Sequence, residues 1–177
     1  MSSELGEEAS MDITGLIGQY AHGNEPSHHT TYMYAYSGEH YKIADKVRFI
    51  NNELYTDQPD GLSGNEDCGQ MSAWYILSSM GFYPVNPSNG AYVFGSPLFD
   101  EVVLDIPGQK QFKISAKNNS DKNIYIQSIS LNGEEHKYSY ITHKEILKGG
   151  ELEFTMGPKP NKDFGKEKKY RPESIVY

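Results

Sequence analysis

The chain has 177 residues, enough for one ordinary domain or two small lobes. Its formal net charge is −8, from 24 acidic and 16 basic side chains, which argues against nucleic acid as a partner because phosphates require a positively charged surface. A single cysteine, Cys68, excludes an intrachain disulfide and a cysteine-rich metal site. No apolar run approaches the roughly 18 residues of a membrane span, and the acidic first ten residues do not resemble a signal peptide.

In the first half of the chain, apolar residues recur at helical spacing. A helix is predicted over 27–37, after Pro26, and a second over 41–55, whose apolar residues share one face. A third helix is predicted over 70–80 and is apolar nearly all round, which is typical of a helix buried on most sides. The other two helices can cover only part of the third helix. The sequence therefore favours a fragment of a larger helical domain or an oligomer that covers the remaining apolar surface.

After about residue 84 the apolar residues alternate and turn residues interrupt them, a pattern that predicts short strands. The predicted strands are 91–94, 102–106, 112–116, 124–131, 135–141, 145–147 and 152–156. Asn132-Gly133 between two alternating runs predicts a hairpin. The predicted fold class is therefore α+β, with a helical segment at 1–84 and a β-rich lobe at 85–177, expected to be a small antiparallel sandwich or a curled sheet.

Two loops that each precede a predicted helix are crowded with polar residues, GNEPSHH at 23–29 and PDGLSGNEDCGQ at 59–70. Helix capping explains any one of these residues, because side-chain oxygens satisfy the free N–H groups of a first turn. Capping does not explain Asn65, Glu66 and Asp67 in a row, because one helix start needs fewer capping side chains. Neighbouring carboxylates also repel each other unless a cation or a partner of complementary charge binds them. The residues that supply oxygen atoms are Asn24, Glu25, Asn65, Glu66 and Asp67.

Three kinds of chemistry fit these residues. Carboxylate and amide oxygens are the ligands of a hard cation such as calcium, here assembled from separate loops. Zinc held by His28 and His29 is a less favoured alternative, because adjacent helical residues point about 100° apart. A carboxylate pair such as Glu25 and Asp67 could also hydrolyse a glycoside, with a separation that the sequence does not give.

Four segments identify a family. They are GNEPSHH, PDGLSGNEDCGQMSAWYILSSMGFYPV, GSPLFDEVVL and NGEEHKYSYITHKEILKGGELEFTMG, in that order between about residues 15 and 165. Together they resemble the C-terminal part of glycoside hydrolase family 92, the calcium-dependent inverting exo-α-mannosidases. The resemblance implies that the three helices are a remnant of an (α/α)6 barrel and that the β-rich lobe packs against the rest of a much longer parent polypeptide.

The resemblance also assigns roles. Asp67 corresponds to the general base, within the segment that includes Asn65 and Glu66. Many relatives have Asp where this chain has Asn65, and an amide is no useful proton acceptor, which strengthens Asp67 as the base. Asn24 and Glu25 would contribute to the calcium site. His28 and His29 would line the sugar pocket, and the general acid is expected upstream of this chain.

The expected function is that of a fragment of an α-mannosidase, inactive alone, whose parent cleaves α-1,2-linked mannosides in glycan degradation, N-glycans included. The expected partners are α-mannoside glycans, the rest of the parent polypeptide and a second copy bound through exposed helical surface. By resemblance the parent is exported, to the periplasm or the cell exterior. The alternative is a non-catalytic module, either a carbohydrate-binding module that uses the tyrosines of the β-rich half or a scaffold lobe. The β-rich half considered alone favours the scaffold, because it contains no crowded polar cluster.

Overall fold

The computed structural model describes residues 13–174. The helices in this range are α1 (Tyr34–Ser37), α2 (Tyr41–Glu53), α3 (Gln70–Met80) and α4 (His143–Ile146), with 3-10 turns at Glu25–Ser27, Thr30–Tyr32 and Lys168–Tyr170. The strands are β1 (Leu16–Ile17), β2 (Tyr20–Ala21), β3 (Phe82–Asn86), β4 (Ala91–Phe94), β5 (Glu101–Ile106), β6 (Lys110–Lys117), β7 (Tyr125–Leu131), β8 (Glu134–Glu135), β9 (Tyr140–Thr142) and β10 (Gly150–Gly157). The α+β class is confirmed.

The predicted helices over 41–55 and 70–80 are confirmed as α2 and α3, whereas 27–37 is largely wrong as a helix. That stretch forms two 3-10 turns followed by the single turn α1. One physical reason lies at Ser27, whose hydroxyl donates to the carbonyl oxygens of Ala21 (2.5 Å) and Asn24 (2.7 Å). Side-chain bonds of this kind hold the backbone in turns instead of a continuous helix.

A first core joins the helices to the second half of the chain. The apolar face of α2 packs with Tyr32 and Trp74, and Tyr83 and Val93 from β3 and β4 complete the cluster. Strand β3 runs across the predicted boundary at residue 84. The assignment of 1–84 and 85–177 to separate units stays a prediction, as does the origin of the helices in an (α/α)6 barrel.

The strands form two larger sheets beside the short β1–β2 hairpin. One has the order β5-β6-β10-β7-β8 and the other β3-β4-β9. The expectation of a purely antiparallel lobe is wrong, because β10 pairs parallel with β6 and antiparallel with β7. An alternating sequence shows which face of a strand is buried but not which neighbour it pairs with. The second core fills the space beneath these sheets, with Phe112, Leu152 and Phe154 fully buried.

Two predicted strands differ from the structure. The segment 145–147 lies at helix α4 instead, because Thr142 and Glu145 form a reciprocal capping box that starts a helix at His143. The segment 135–141 is split between β8 and β9. Of the described helices, none is long and apolar enough to cross a membrane. The first ten residues, on which the signal-peptide prediction depends, lie outside the described range.

Candidate active site

An acidic side chain from each of the two polar loops contributes to the contact between them. Glu25 begins a 3-10 turn and Asp67 lies in the turn before α3, and their carboxyl groups are within hydrogen-bonding reach of each other. The pKa of Glu25 is held below its usual range by its own backbone N–H and, next, by a hydrogen bond with the Asp67 side chain. Two residues 42 positions apart therefore form a single acidic pair.

The backbone around Asp67 is unusual. Asp67 and Cys68 have φ of 47° and 58°, and Gly69 follows with φ of 91°, so three successive residues are left-handed. This region costs energy for residues with a side chain, although short polar ones such as aspartate tolerate it better. Left-handed residues of this kind cluster where a side chain must be aimed at a particular point.

Glu66 faces a different partner from its neighbour Asp67. Its carboxylate accepts hydrogen bonds from the backbone N–H of Ser72 (2.9 Å) and from the Ser72 hydroxyl (2.8 Å). These are the bonds of a helix cap, placed in the first turn of α3, where Gly69 supplies no side chain for the purpose. A catalytic role for Glu66 stays a prediction.

Capping does not account for Asn24 or Asn65. Asn24 stands at the N-terminus of the 3-10 turn, but its side chain makes no capping bond, and only its backbone oxygen accepts from Ser27. Asn65 is exposed. Neither amide side chain has a hydrogen bond within residues 13–174, so both are available to a ligand.

The two adjacent histidines differ sharply in environment. His28 is buried, and its ring is bonded at both nitrogens, to the His22 carbonyl oxygen at 2.9 Å and to the Gln70 amide nitrogen at 3.3 Å. A carbonyl oxygen can only accept, so Nε2 of His28 carries the proton and Nδ1 accepts from Gln70. His29 is exposed. Contact with a sugar stays a prediction for both residues.

A buried network beneath the acidic pair holds the two loops together. The His22 ring stacks on His28 with centroids 4.7 Å apart and meets Trp74 edge-on at 4.5 Å. Tyr20 and Tyr55 bond to its two nitrogens, at 2.8 Å and 2.7 Å. Since Tyr55 donates its own proton to a backbone carbonyl at 3.0 Å, His22 must donate to Tyr55 and accept from Tyr20.

Both buried imidazoles are neutral. Burial lowers the pKa of His22 to about 3, with the neighbouring His28 as a second cause. Burial also lowers the pKa of His28. A neutral network of this kind fixes the geometry without adding charge next to the carboxyl pair.

Sequence reasoning missed His22, Tyr55 and Gln70. They lie outside the crowded polar motifs or at their edge, and each is an ordinary residue for a helix or a turn. One signal was present: His22 directly precedes the GNEPSHH segment. A histidine next to a polar loop is more often a surface residue than a buried support, so its role depended on the tertiary structure.

The closeness of Glu25 and Asp67 limits their chemistry. Carboxyl groups that share a hydrogen bond are about 3 Å apart, whereas the acid and base of a glycosidase stand about 5 Å apart or more. The pair therefore cannot flank a glycosidic bond as its acid and base. Two adjacent carboxyl oxygens instead suit a cation or a bound hydroxyl. Among the described residues, no group of three or more His, Cys, Asp or Glu side chains could hold a metal ion.

Known proteins are similar to this chain over most of its length. The model of the glycosyl hydrolase family 92 catalytic domain matches residues 2–158. A protein of Arthroderma benhamiae named an uncharacterized secreted glycosidase is 33% identical over 138 residues, covering 76% of this chain and 18% of its own length.

Two solved structures from Bacteroides thetaiotaomicron are similar. A family GH92 α-mannosidase in complex with mannoimidazole has a TM-score of 0.91 and 41% identity, over 97% of this chain and 23% of that one. A family GH92 inverting mannosidase has a TM-score of 0.83 and 44% identity, over 89% of this chain and 21% of that one. The chain thus spans about a fifth of the length of these relatives. It belongs to glycosyl hydrolase family 92.

Proposed function

We propose that this chain is the C-terminal part of an inverting exo-α-mannosidase and carries its general base and part of its calcium site. The observation that supports this most directly is the contact between Glu25 and Asp67, because it places the two residues of one acidic pair on separate loops of a single site. The solved mannosidase bound to mannoimidazole gives the substrate class its support.

Asp67 is the residue suited to the base. Its carboxyl group is at the surface, on a left-handed turn that directs it, within hydrogen-bonding reach of Glu25. A base must be deprotonated before it can accept a proton from water. A cation bound by Glu25 would favour the charged form of Asp67, because a nearby positive charge stabilises a carboxylate.

Calcium suits this position by the chemistry of its donors. Glu25 offers a carboxylate and Asn24 a free amide oxygen, both hard ligands, and calcium takes six to eight oxygens. When bound, the ion would supply positive charge that orients sugar hydroxyls and compensates the Glu25 carboxylate. The described residues supply only part of such a shell, so the remaining ligands are proposed to come from the rest of the polypeptide and the sugar.

The surface of the helices fits a missing partner segment. Phe49 on α2 is 47% exposed and Ile76 on α3 is 53% exposed, although both helices contribute to the first core. Covering these side chains would remove apolar surface from water, which favours association. We infer that the preceding part of the parent polypeptide covers them, with a second copy of the chain as the alternative occupant.

The general acid is assigned to the same missing part, because the contact between Glu25 and Asp67 is too short for an acid and base pair. The isolated chain is therefore expected to be inactive. The parent is proposed to be exported, in line with the relative that is named secreted. A preference for α-1,2-linked mannosides and a role in N-glycan degradation are further parts of this proposal.

The test is a chimera in which this chain replaces the matching fifth of the Bacteroides mannosidase that is 41% identical to it. An aryl α-mannoside is the substrate, and the anomer first released is identified by NMR. The chimera should release mannose with inversion, and Asp67→Asn should lower kcat by about 10² to 10⁴. Glu25→Gln should instead raise the calcium concentration needed for half-maximal activity.

Asp60→Asn is the matched control, since Asp60 is an exposed carboxylate in the loop that leads to Asp67. It should change neither quantity. A folded chimera in which Asp67→Asn keeps full activity would overturn the assignment of the base. Release of mannose by the isolated chain at a normal rate would overturn the fragment proposal.

A second candidate function is carbohydrate binding without catalysis. It draws on the exposed Tyr138 of the β-rich half and the half-buried Tyr140 beside it. Calorimetry with a mannose oligosaccharide locates the sugar, because binding at the acidic pair should fail in a chelator or after Asp67→Ala, whereas binding on the β-rich half should persist. Cleavage by the chimera then decides between the two functions.

A further inference from the structure

A group of aromatic rings stands at the surface of the β-rich half, on elements that do not carry the acidic pair. We call it the tyrosine ridge and define it as His136, Tyr138, Tyr140 and Tyr170. Tyr138 is 43% exposed, yet its ring meets Tyr140 at 5.6 Å, Tyr170 at 5.5 Å and His136 at 5.7 Å between centroids. Its planes with the two tyrosines are near perpendicular, at 74° and 88°. An exposed ring held by three others is already ordered before any ligand arrives.

The ridge separates two concave regions. One has a volume of 300 Å³ and is lined by His136, Tyr138, Tyr140, Thr142 and Glu145. The other has a volume of 510 Å³ and shares Tyr138 and Tyr140 as its wall. Volumes of this order suit small ligands. The two tyrosines are therefore accessible from both sides.

Polar groups with unused bonding capacity surround the smaller region. Glu145 accepts from the Thr142 N–H (2.8 Å) and hydroxyl (2.6 Å) through one carboxylate oxygen, which fixes the side chain and leaves the other oxygen without a bond within the described range. The His136 Nε2 donates to the Tyr140 carbonyl oxygen at 2.9 Å, which leaves Nδ1 as an acceptor. The hydroxyls of Tyr138 and Tyr140 have no hydrogen bond within residues 13–174.

Charge selects against an anionic ligand here. The smaller region is lined by one carboxylate and by no lysine or arginine. The larger region is different, because Lys168, Lys169 and Arg171 line it with Glu173, and of these only Lys169 has an ion pair within the described residues, with Glu167 at 3.1 Å. A ligand held in the smaller region must therefore be neutral and rich in hydroxyl groups.

We propose that the tyrosine ridge is a second carbohydrate site, which binds a neutral hexose unit of a glycan against Tyr138 and Tyr140, with Glu145 accepting from its hydroxyls. A pyranose presents a C–H face that packs on an aromatic ring and hydroxyls that bond to fixed polar groups. The site needs neither the acidic pair nor calcium. It would hold a glycan by a part remote from the bond that is cleaved.

The test is a titration of the 177-residue chain with a neutral α-linked mannose tetrasaccharide in the presence of EDTA, followed by NMR or calorimetry. Wild-type protein should bind, and Tyr138→Ala should weaken binding about tenfold, the effect of one aromatic contact of about 1.4 kcal/mol. Tyr138→Trp should keep or strengthen it. Phe99→Ala is the matched control, because Phe99 is also 43% exposed and lies outside the ridge, and it should have no effect.

Three results would overturn the proposal. They are no binding at millimolar tetrasaccharide, unchanged binding by a folded Tyr138→Ala variant, and tighter binding of a sulfated oligosaccharide than of the neutral one. Asp67→Asn distinguishes this site from the acidic pair. Binding that persists in Asp67→Asn supports the ridge whether or not the chimera cleaves mannosides, whereas binding lost in Asp67→Asn assigns the sugar to the acidic pair and refutes the ridge.

Discussion

Replacing Glu66 with alanine tests whether Glu66 stabilises helix α3 while its neighbour Asp67 serves catalysis. The substitution removes the acceptor for both the backbone N–H and the hydroxyl of Ser72 in the first turn of α3. A cap contributes about 0.5–2 kcal/mol, and a charged acceptor near a helix N-terminus adds about 0.3–1 kcal/mol. Because Glu66 is half-exposed, solvent screens part of this, and we expect a loss of about 1.5 kcal/mol.

The measurement is thermal unfolding followed by circular dichroism. For a chain of this size, 1.5 kcal/mol corresponds to a fall in Tm of about 3–6 °C. Glu66→Gln should lose about half as much, because its amide oxygen still accepts from the Ser72 N–H. Asp60→Ala, at an exposed position of the same loop, should stay within about 0.5 kcal/mol of wild type.

Asp67→Asn should likewise leave Tm nearly unchanged, because Asp67 is exposed and asparagine tolerates the left-handed backbone of this position as aspartate does. We therefore expect stability to depend on Glu66 and activity to depend on Asp67. An unchanged Tm in Glu66→Ala, together with a large fall in Asp67→Asn, would refute this division of roles.

Two further predictions concern residues that join the halves of the chain. Burial lowers the pKa of His40 to about 4, and its ring donates to the Phe94 carbonyl oxygen at 2.8 Å. The unfolded chain binds this proton first, so stability should fall as pH drops from about 6.5 to 4, by up to about 1.4 kcal/mol per pH unit, and urea unfolding of His40→Gln should show a flatter pH profile. The buried Arg48 donates to Ser96 at 3.0 Å and to the Pro97 carbonyl oxygen at 2.5 Å. Arg48→Met should lower the unfolding free energy by about 3 kcal/mol by leaving these acceptors unpaired, whereas Lys46→Met on the same helix should have little effect, and equal losses would contradict the argument.

The sequence determined elements whose signals are local. Helices α2 and α3 follow from apolar spacing, and the Asn132-Gly133 turn joins β7 to β8 with both residues left-handed, at φ of 54° and 83°. The family was equally accessible, because its motifs are long and contiguous. Both polar loops were found as candidates for the same reason.

Only the tertiary structure decided which residues of those loops act together. Glu66 and Asp67 are adjacent in sequence, yet one caps α3 and the other meets Glu25 from the distant loop. The support from His22 and the parallel pairing of β10 with β6 were equally absent from local patterns. The physical reason is the same in each case. The direction of a side chain and the partner of a strand are determined by contacts between residues far apart in the chain, and these contacts form only when the whole chain folds.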